Sequence, residues 1–144
     1  MHACLDFALK ISLAYNAKCK PLCQKLGLPQ TAFDILMFLA NNPEYKTASD
    51  IVEIRKIKAN LVSINVEKLV QEGYLKRESI AGDRRKTQLI CTDKAQPIIL
   101  QGSKVQESFV ELMFDHTDEE TRRLFREVIC QIDKNLDYIL EGGN

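Results

Sequence analysis

One stretch of the chain, residues 69–92, limits the possible folds more than any other, because it reads as a helix end followed by a hairpin. Gly73 follows an apolar run of helical period and suits the left-handed position that ends a helix. Residues 74–78 and 86–91 have the composition of two strands, with Gly82 among the turn residues between them. The stretch therefore predicts a helix that leads directly into an antiparallel β-hairpin.

Three consecutive cations, Arg84, Arg85 and Lys86, lie in the predicted turn and are candidate DNA-binding residues. A hairpin with cations at its tip, just after a helix, is suited to gripping a phosphate backbone. Residues 55–94 hold ten basic and five acidic residues, whereas residues 95–144 hold five basic and ten acidic ones. This asymmetry indicates that one part of the chain faces a polyanion, although a solvated surface of mixed charge is the alternative.

The N-terminal part of the chain is predicted to be helical. Residues 3–19 are apolar over a broad arc, which is typical of a helix buried on more than one face. Pro21 is expected to break or restart this helix, and a short helix over residues 21–26 would then end at Gly27. Residues 30–41 predict a second amphipathic helix.

The middle of the chain predicts a helix-turn-helix in front of the hairpin. Thr47 and Asp50 have the spacing of a capping box, with Asp in place of the usual Glu, and open a short helix. After a brief turn at residues 55–58, residues 59–72 form the second helix of the motif.

Two further helices are predicted after the hairpin. Thr92 is expected to cap a long helix that runs to about residue 114, and Pro97 near its start would delay or kink the first turn. Thr117 and Glu120 have the spacing of a capping box that opens the last helix.

The second helix of the predicted motif has a core side and a side suited to reading DNA. Val62, Val66 and Leu69 fall on the core side. Asn can pair with adenine, Ser with several groups, an exposed Ile can touch a thymine methyl, and a Lys at the helix N-terminus meets phosphate. Glu67 either accepts from cytosine or lies at the rim. The candidate DNA-binding residues of this helix are Lys58, Asn60, Ser63, Ile64 and Glu67.

The run at residues 83–85, Asp-Arg-Arg, followed by Leu89 and Thr92, resembles the wing signature of the MarR family of bacterial winged-helix regulators. Residues 69–75 resemble the end of the same family's recognition helix. The resemblance covers nearly the whole chain in layout, and its specific part is residues 47–95.

The resemblance implies roles for the wing residues. Arg85 matches the second signature Arg, which enters the minor groove, and Arg84 contacts a phosphate or a groove. Asp83 is expected to have a structural role, holding an Arg of the wing or of a neighbouring helix in place. Two positions depart from the family pattern: Cys91 stands where Leu is usual and Ala95 where Gly is usual.

The first and last helices carry more apolar residues than a small winged-helix core can cover. Fully burying each large side chain is worth about 1.5–3 kcal/mol. We therefore expect a two-fold homodimer with interlocking terminal helices, as the resemblance also implies, and a monomer with a large helical core is the alternative. The predicted fold class is mainly α with a small β-hairpin wing, a winged helix-turn-helix with N- and C-terminal dimerisation helices. A single domain is expected over residues 1–144, with a DNA-binding part at 30–92 and a dimerisation part at 1–29 and 93–144.

Five cysteines, with no secretory signal before them, indicate a cytoplasmic protein with reduced thiols. Cys4 lies near the region where hydroperoxide sensors of the resembled family carry their reactive Cys, which leaves thiol-based redox sensing open. Cys19 and Cys23 have helical spacing, but Pro21 between them argues against a shared face. Small buried hydrophobes are the simpler interpretation of the cysteines.

Neither an enzyme nor a metal or cofactor site is expected. His2 and His116 are isolated, and no Cys/His cluster has zinc-finger spacing. The sequence has no Gly-rich phosphate loop and no nucleophile elbow. The longest apolar patch, residues 35–40, is far too short to span a bilayer, so no membrane association is expected.

These features favour a sequence-specific transcriptional regulator, expected to be a repressor that binds a pseudo-palindromic double-stranded operator. The resemblance implies that a small apolar, often aromatic or phenolic, ligand modulates it from a site between the dimer helices and the winged-helix part. Tyr15, Phe33 and Met37 are candidate lining residues, although plain core is the alternative for them. A winged-helix protein-interaction module that does not bind DNA is a further alternative, and the basic wing argues against it.

Overall fold

A computed structural model describes residues 2–143 and all their side chains except that of Arg84. The fold is mainly α-helical with one two-stranded antiparallel hairpin, which confirms the predicted fold class. The chain divides into two compact units, residues 2–109 and 110–143. The elements are α1 (Ala3–Leu26), α2 (Gln30–Asn41), α3 (Ala48–Arg55), α4 (Ala59–Gln71), β1 (Leu75–Ile80), β2 (Asp83–Cys91), α5 (Gln96–Met113) and α6 (Glu119–Leu140).

Helix α1 continues through Pro21, so the prediction of a break there was wrong. A proline inside a helix removes one hydrogen bond and costs about 3 kcal/mol. Burial of Cys19, Leu22 and Cys23 on one face of the same turns offsets that cost and keeps the helix intact. The helix ends where the sequence predicted, at Gly27, whose φ of 65° is in the left-handed region.

Helices α3 and α4 form the predicted helix-turn-helix. The Thr47 hydroxyl accepts the Asp50 backbone N–H, and the Asp50 carboxylate accepts the Thr47 backbone N–H, which confirms the capping box. Lys56, at φ 56°, ends α3 in the left-handed region and turns the chain towards α4. The core side of α4 is as predicted, because Val62, Val66 and Leu69 are all buried.

The core of the first unit lies between α2, the helix-turn-helix and the hairpin. It joins the fully buried side chains of α2 to those of α3, α4 and both strands, and Ile98 of α5 closes one side. A second cluster lies where α1 meets α2. The largest side chains without exposure in the two clusters are Phe33, Ile35, Leu36, Ile51 and Leu69.

The hairpin turn is shorter than predicted. It consists of Ala81 and Gly82, so the three cations lie on β2 and not in the turn itself. The register runs regularly from Leu75 opposite Cys91 to Ser79 opposite Thr87, and then shifts so that Ile80 is opposite Asp83. Residues 84–86 therefore lie in an irregularity of β2 between two paired positions, where side chains can be redirected.

Two further boundaries differ from the sequence-based expectation. Thr92 does not cap the long helix as expected, because a short 3-10 segment, Asp93–Ala95, follows it and its hydroxyl makes no capping hydrogen bond. Helix α5 begins at Gln96, which fits the delayed start expected from Pro97. Helix α6 is capped by Asp118, whose carboxylate accepts the Thr121 N–H at 2.7 Å, so the capping box assigned to Thr117 was wrong. The Thr117 hydroxyl is used elsewhere, since it donates to the Phe114 carbonyl and accepts from the Arg122 side chain.

Candidate nucleic-acid interface

The outer face of α4 presents the side chains that the sequence proposed as base readers. Asn60, Ser63 and Ile64 are exposed, and Ile64 retains 64% of its accessible surface. An exposed Ile next to short polar groups is a surface that can contact base edges and thymine methyl groups. The structure therefore brings these three candidates together on one face of one rigid helix.

Lys58 lies at the N-terminus of α4 and is exposed. Its carbonyl accepts the Val62 N–H, while its side chain makes no capping hydrogen bond to the helix. The positive end of the helix dipole and the ammonium group therefore act on the same region of solvent, which suits a phosphate.

Glu67, the fourth candidate on this face, is held by two side chains of the same unit. Arg77 of β1 donates to one carboxylate oxygen at 2.8 Å, and Gln71 donates to the other at 3.3 Å. The role of Arg77 could not be predicted from the sequence, because its partner lies ten residues earlier on another element. This ion pair joins the recognition face to the hairpin.

A hydrogen bond between a side chain and the backbone lies next to the cations of the wing. The Asp83 carboxylate accepts the backbone N–H of Arg85 at 2.9 Å, a contact that shapes the start of β2. Arg85 and Lys86 are exposed. The structure thus gives Asp83 a backbone partner, whereas the sequence suggested an Arg side chain.

Lys86 also acts on the helix-turn-helix. The pKa of the Asp50 carboxyl lies below its ordinary value. Slight burial raises this pKa, but hydrogen bonds from Lys46 and Thr47 and the positive charge of Lys86 together lower it by more. The charge of Lys86 is the smallest of these contributions to the pKa of Asp50, at the start of α3.

Three hydrogen bonds that sequence reasoning missed connect β2 and the segment after it to the residues that flank α3 and α4. The Thr92 hydroxyl donates to the Gly73 carbonyl at 2.6 Å, and the Lys94 ammonium donates to the Glu72 carbonyl at 2.6 Å. The Leu89 N–H donates to the Lys46 carbonyl at 2.7 Å. The first two satisfy carbonyls at the end of α4, so hydrogen bonds connect the segment after β2 to the end of that helix.

The three candidate ligand-lining residues meet in the second core cluster. Phe33 and Met37 are buried, and Tyr15 packs its ring edge against Phe109 with centroids 5.3 Å apart. The Tyr15 hydroxyl accepts from the Gln106 side chain at 3.0 Å, and burial raises the pKa of this phenol. This cluster is packed core with one polar pair.

Three surface cavities of the first unit lie elsewhere. The largest, ≈ 660 Å³, lies between the end of α1, the start of α2 and Lys68. One of ≈ 440 Å³ lies between α3, α4 and the hairpin and is lined by Ser63, Arg77 and Thr87, and one of ≈ 390 Å³ lies behind β2. None of the three is lined by Tyr15 or by the two core residues paired with it in the ligand prediction.

The five cysteines differ in exposure, and Cys91 of β2 is half-buried. Cys4 and Cys130 are exposed, whereas Cys19 and Cys23 are buried on one face of α1, so the doubt about a shared face was wrong. Burial raises the pKa of both buried thiols, that of Cys23 to about 11. Across residues 2–143 there is no group of three His, Cys, Asp or Glu side chains that could hold a metal ion. Within the same range, no helix is both long and apolar enough to cross a membrane.

Comparison with known proteins agrees with this geometry. The model of the MarR family matches residues 26–86, from the end of α1 to the cations of β2. This part of the chain is similar to the MarR family. The transcriptional regulator PecS of Dickeya dadantii is 28% identical over 133 residues, which cover 88% of this chain and 78% of PecS. PecS is a helix-turn-helix transcriptional regulator.

Two solved protein–DNA complexes contain proteins that share the fold over almost the whole chain. A putative MarR family regulator of Listeria monocytogenes, solved in complex with a 26mer DNA, superposes with a TM-score of 0.84 at 15% identity, covering 100% of this chain and 97% of that one. The S. aureus MepR–DNA complex gives a TM-score of 0.78 at 14% identity, covering 94% and 99%. Both likenesses are likenesses of fold.

Proposed function

We propose that this protein is a homodimeric repressor of the MarR family that binds a pseudo-palindromic double-stranded operator. The observation that carries the proposal is the exposed face of α4, with Asn60, Ser63 and Ile64, in one unit with the cationic segment of β2. In the proposed complex α4 lies in the major groove, Lys58 meets a phosphate, and the wing follows the adjacent minor groove. The wing residues Arg84, Arg85 and Lys86 supply the cations, and Asp83 shapes the backbone that carries them.

The proposed dimer is supported by the exposed apolar residues of the first and last helices. Leu5, Phe7, Leu9 and Leu13 of α1 are each at least half exposed. No residue of α6 is buried, although it carries a long apolar stripe. Covering such a set against a second copy would release several times 1.5–3 kcal/mol, so a two-fold interface is the economical arrangement. The stripe of α6 comprises Leu124, Val128, Ile129, Ile132, Leu136, Ile139 and Leu140.

This proposal assigns parts of the chain to the two tasks. Residues 30–92 form the DNA-binding part, and residues 1–29 and 93–144 form the dimerisation part of a single functional domain. A repressor acts where its operator is, so we place the protein in the cytoplasm.

A small apolar or phenolic effector is the proposed regulator of operator affinity. The cluster of Tyr15, Phe33 and Met37 combines apolar side chains with the Tyr15–Gln106 hydrogen bond, which suits a mostly apolar ligand with one polar group. Because the cluster is packed, a ligand must separate its side chains in order to bind. That separation would move the helices that carry them, and binding would thereby alter operator affinity. A coupling of about 1–3 kcal/mol would change operator affinity about 5- to 150-fold.

Thiol-based sensing is the second candidate, favoured by the exposure of Cys4 near the start of α1. It makes a different forecast from that of the ligand. In the ligand account a phenolic acid releases the operator and the Cys4→Ser variant responds as the wild type does. In the thiol account hydroperoxide releases the operator and Cys4→Ser abolishes the response.

The test is a gel-shift titration with DNA from upstream of the protein's own gene. One arm receives phenolic acids and the other hydroperoxide, each with wild type and Cys4→Ser. We expect a specific shift without effector and release by a phenolic acid in both proteins. Release by hydroperoxide alone, lost in Cys4→Ser, would replace the ligand account, and absence of any specific shift would refute the proposed function.

A further inference from the structure

The ion pair between Glu67 and Arg77 joins the outer face of the recognition helix to the first strand of the wing. The Arg77 Nη2 atom lies 2.8 Å from Glu67 Oε2, and the Gln71 side chain donates to Oε1 at 3.3 Å. Both carboxylate oxygens are thus engaged within the protein. The side chains remain 42% and 50% exposed for Arg77 and Glu67, so the pair lies at the surface.

Stability alone does not account for such a pair. An exposed ion pair contributes little to folding because water screens both charges. The situation changes if the same face approaches DNA, because the duplex carries one negative charge about every 1.7 Å and displaces water as it docks. A free carboxylate at position 67 would be repelled there, whereas a carboxylate neutralised by Arg77 would not.

We propose that Arg77 is a positioning residue of the DNA-binding surface, which neutralises Glu67 and holds its carboxylate within the protein so that the outer face of α4 can approach the DNA groove. The inference rests on the proposed DNA-binding function. In this arrangement the pair is electrically neutral towards DNA, and neither member makes the contact that distinguishes one base pair from another. Base reading is left to the neutral residues Asn60, Ser63 and Ile64.

The experiment is a double-mutant cycle of Glu67→Gln, Arg77→Gln and the double variant. Fluorescence anisotropy measures the Kd for a labelled operator and for a shuffled duplex of the same length, each over a range of salt concentrations. Circular dichroism confirms that all four proteins are folded. The Lys76–Glu78 pair of the same strand, 3.0 Å apart and on the opposite side of the strand from Arg77, provides the matched control, with Lys76→Gln, Glu78→Gln and their double variant.

The two single variants should move DNA binding in opposite directions. Arg77→Gln leaves Glu67 uncompensated and should weaken operator binding about tenfold. Glu67→Gln frees Arg77 for a phosphate, so the shuffled duplex should bind more tightly and the salt slope should steepen by about 0.9. The double variant is neutral like the wild-type pair and should bind the operator within about threefold of wild type. The control pair should show no such rescue.

Other outcomes overturn the inference and show which part of the account has failed. If both single variants weaken operator binding and their effects add in the double variant, Glu67 reads a base and Arg77 is an independent anchor. If the control pair shows the same rescue, the effect is one of net charge and not of position 77. If wild type does not prefer the operator to the shuffled duplex, the proposed function itself fails, and the inference fails with it.

Discussion

Cys19 and Cys23 lie on the face of α1 that packs against α2. Their small apolar character predicted buried positions, and both are buried. Their relation to each other was misjudged because Pro21 was expected to break the helix between them, whereas the packing of that face keeps α1 continuous. A local rule about proline was overridden by tertiary contacts that no short window of sequence contains.

These two thiols should be inert in the folded protein. We expect iodoacetamide at pH 8 to label Cys19 and Cys23 much more slowly than it labels them in denaturant, because both are buried and their pKa values are raised. Since the pKa of Cys23 is raised to about 11, its labelling should increase steadily as the pH rises above 8. Peptide mass spectrometry measures both rates. Rapid labelling of either residue in the native state would contradict the packing of α1 on α2.

Site residues were predictable where one element carries the whole pattern. The outer face of α4 follows from helical periodicity alone, and so does the core side at Val62, Val66 and Leu69. The partners of Glu67 and the bond from Lys94 to the Glu72 carbonyl join different elements and depend on the final packing angle. Such contacts leave no local signal in the sequence.

At the scale of elements, the sequence predicted that a hairpin forms, but it did not predict the length of the turn. Gly82 and the alternating strand marked the hairpin, and the buried residues Leu75 and Leu89 fix its register. The irregularity at residues 84–86 could not be predicted, because a bulge depends on how the two strands end against each other. The cap of α6 was misplaced by one residue for a similar reason, since Thr117 and Asp118 both have capping side chains and the final geometry decides between them.

The wing should contribute to DNA binding through its charge and not through the stability of the fold. We expect Arg84→Ala and Arg85→Ala each to weaken operator binding and to lower the slope of log K against log salt by about 0.9 for each lost phosphate contact. Thermal unfolding should stay close to wild type, because substitutions at polar hairpin positions usually change stability by about 0.5 kcal/mol or less. Lys104→Ala, an exposed cation of α5, is the control. Unchanged affinity and slope in both arginine variants would remove the wing from the account.

At the scale of the whole molecule, the exposed apolar residues of α1 and α6 support the proposed pairing of two copies. The surplus of apolar residues in α1 and α6 was visible in the sequence, because helical stripes need no tertiary information. The geometry of a two-fold pair was not, since it depends on how two folded copies fit together. A dimer is what allows two recognition helices to meet two half-sites about one DNA turn apart, roughly 34–36 Å.

Hydroxyl-radical footprinting on the upstream DNA tests the central claim most directly, because one measurement reports DNA binding, symmetry and spacing together. The account predicts two protected stretches about one helical turn apart, related by a two-fold axis. The variant Ile132→Lys/Leu136→Lys, in which two charges interrupt the exposed stripe of α6, should be monomeric or aggregated by light scattering and should protect neither stretch. A single protected stretch, or a wild type that protects DNA while it scatters light as a monomer, would contradict a dimeric operator-binding regulator.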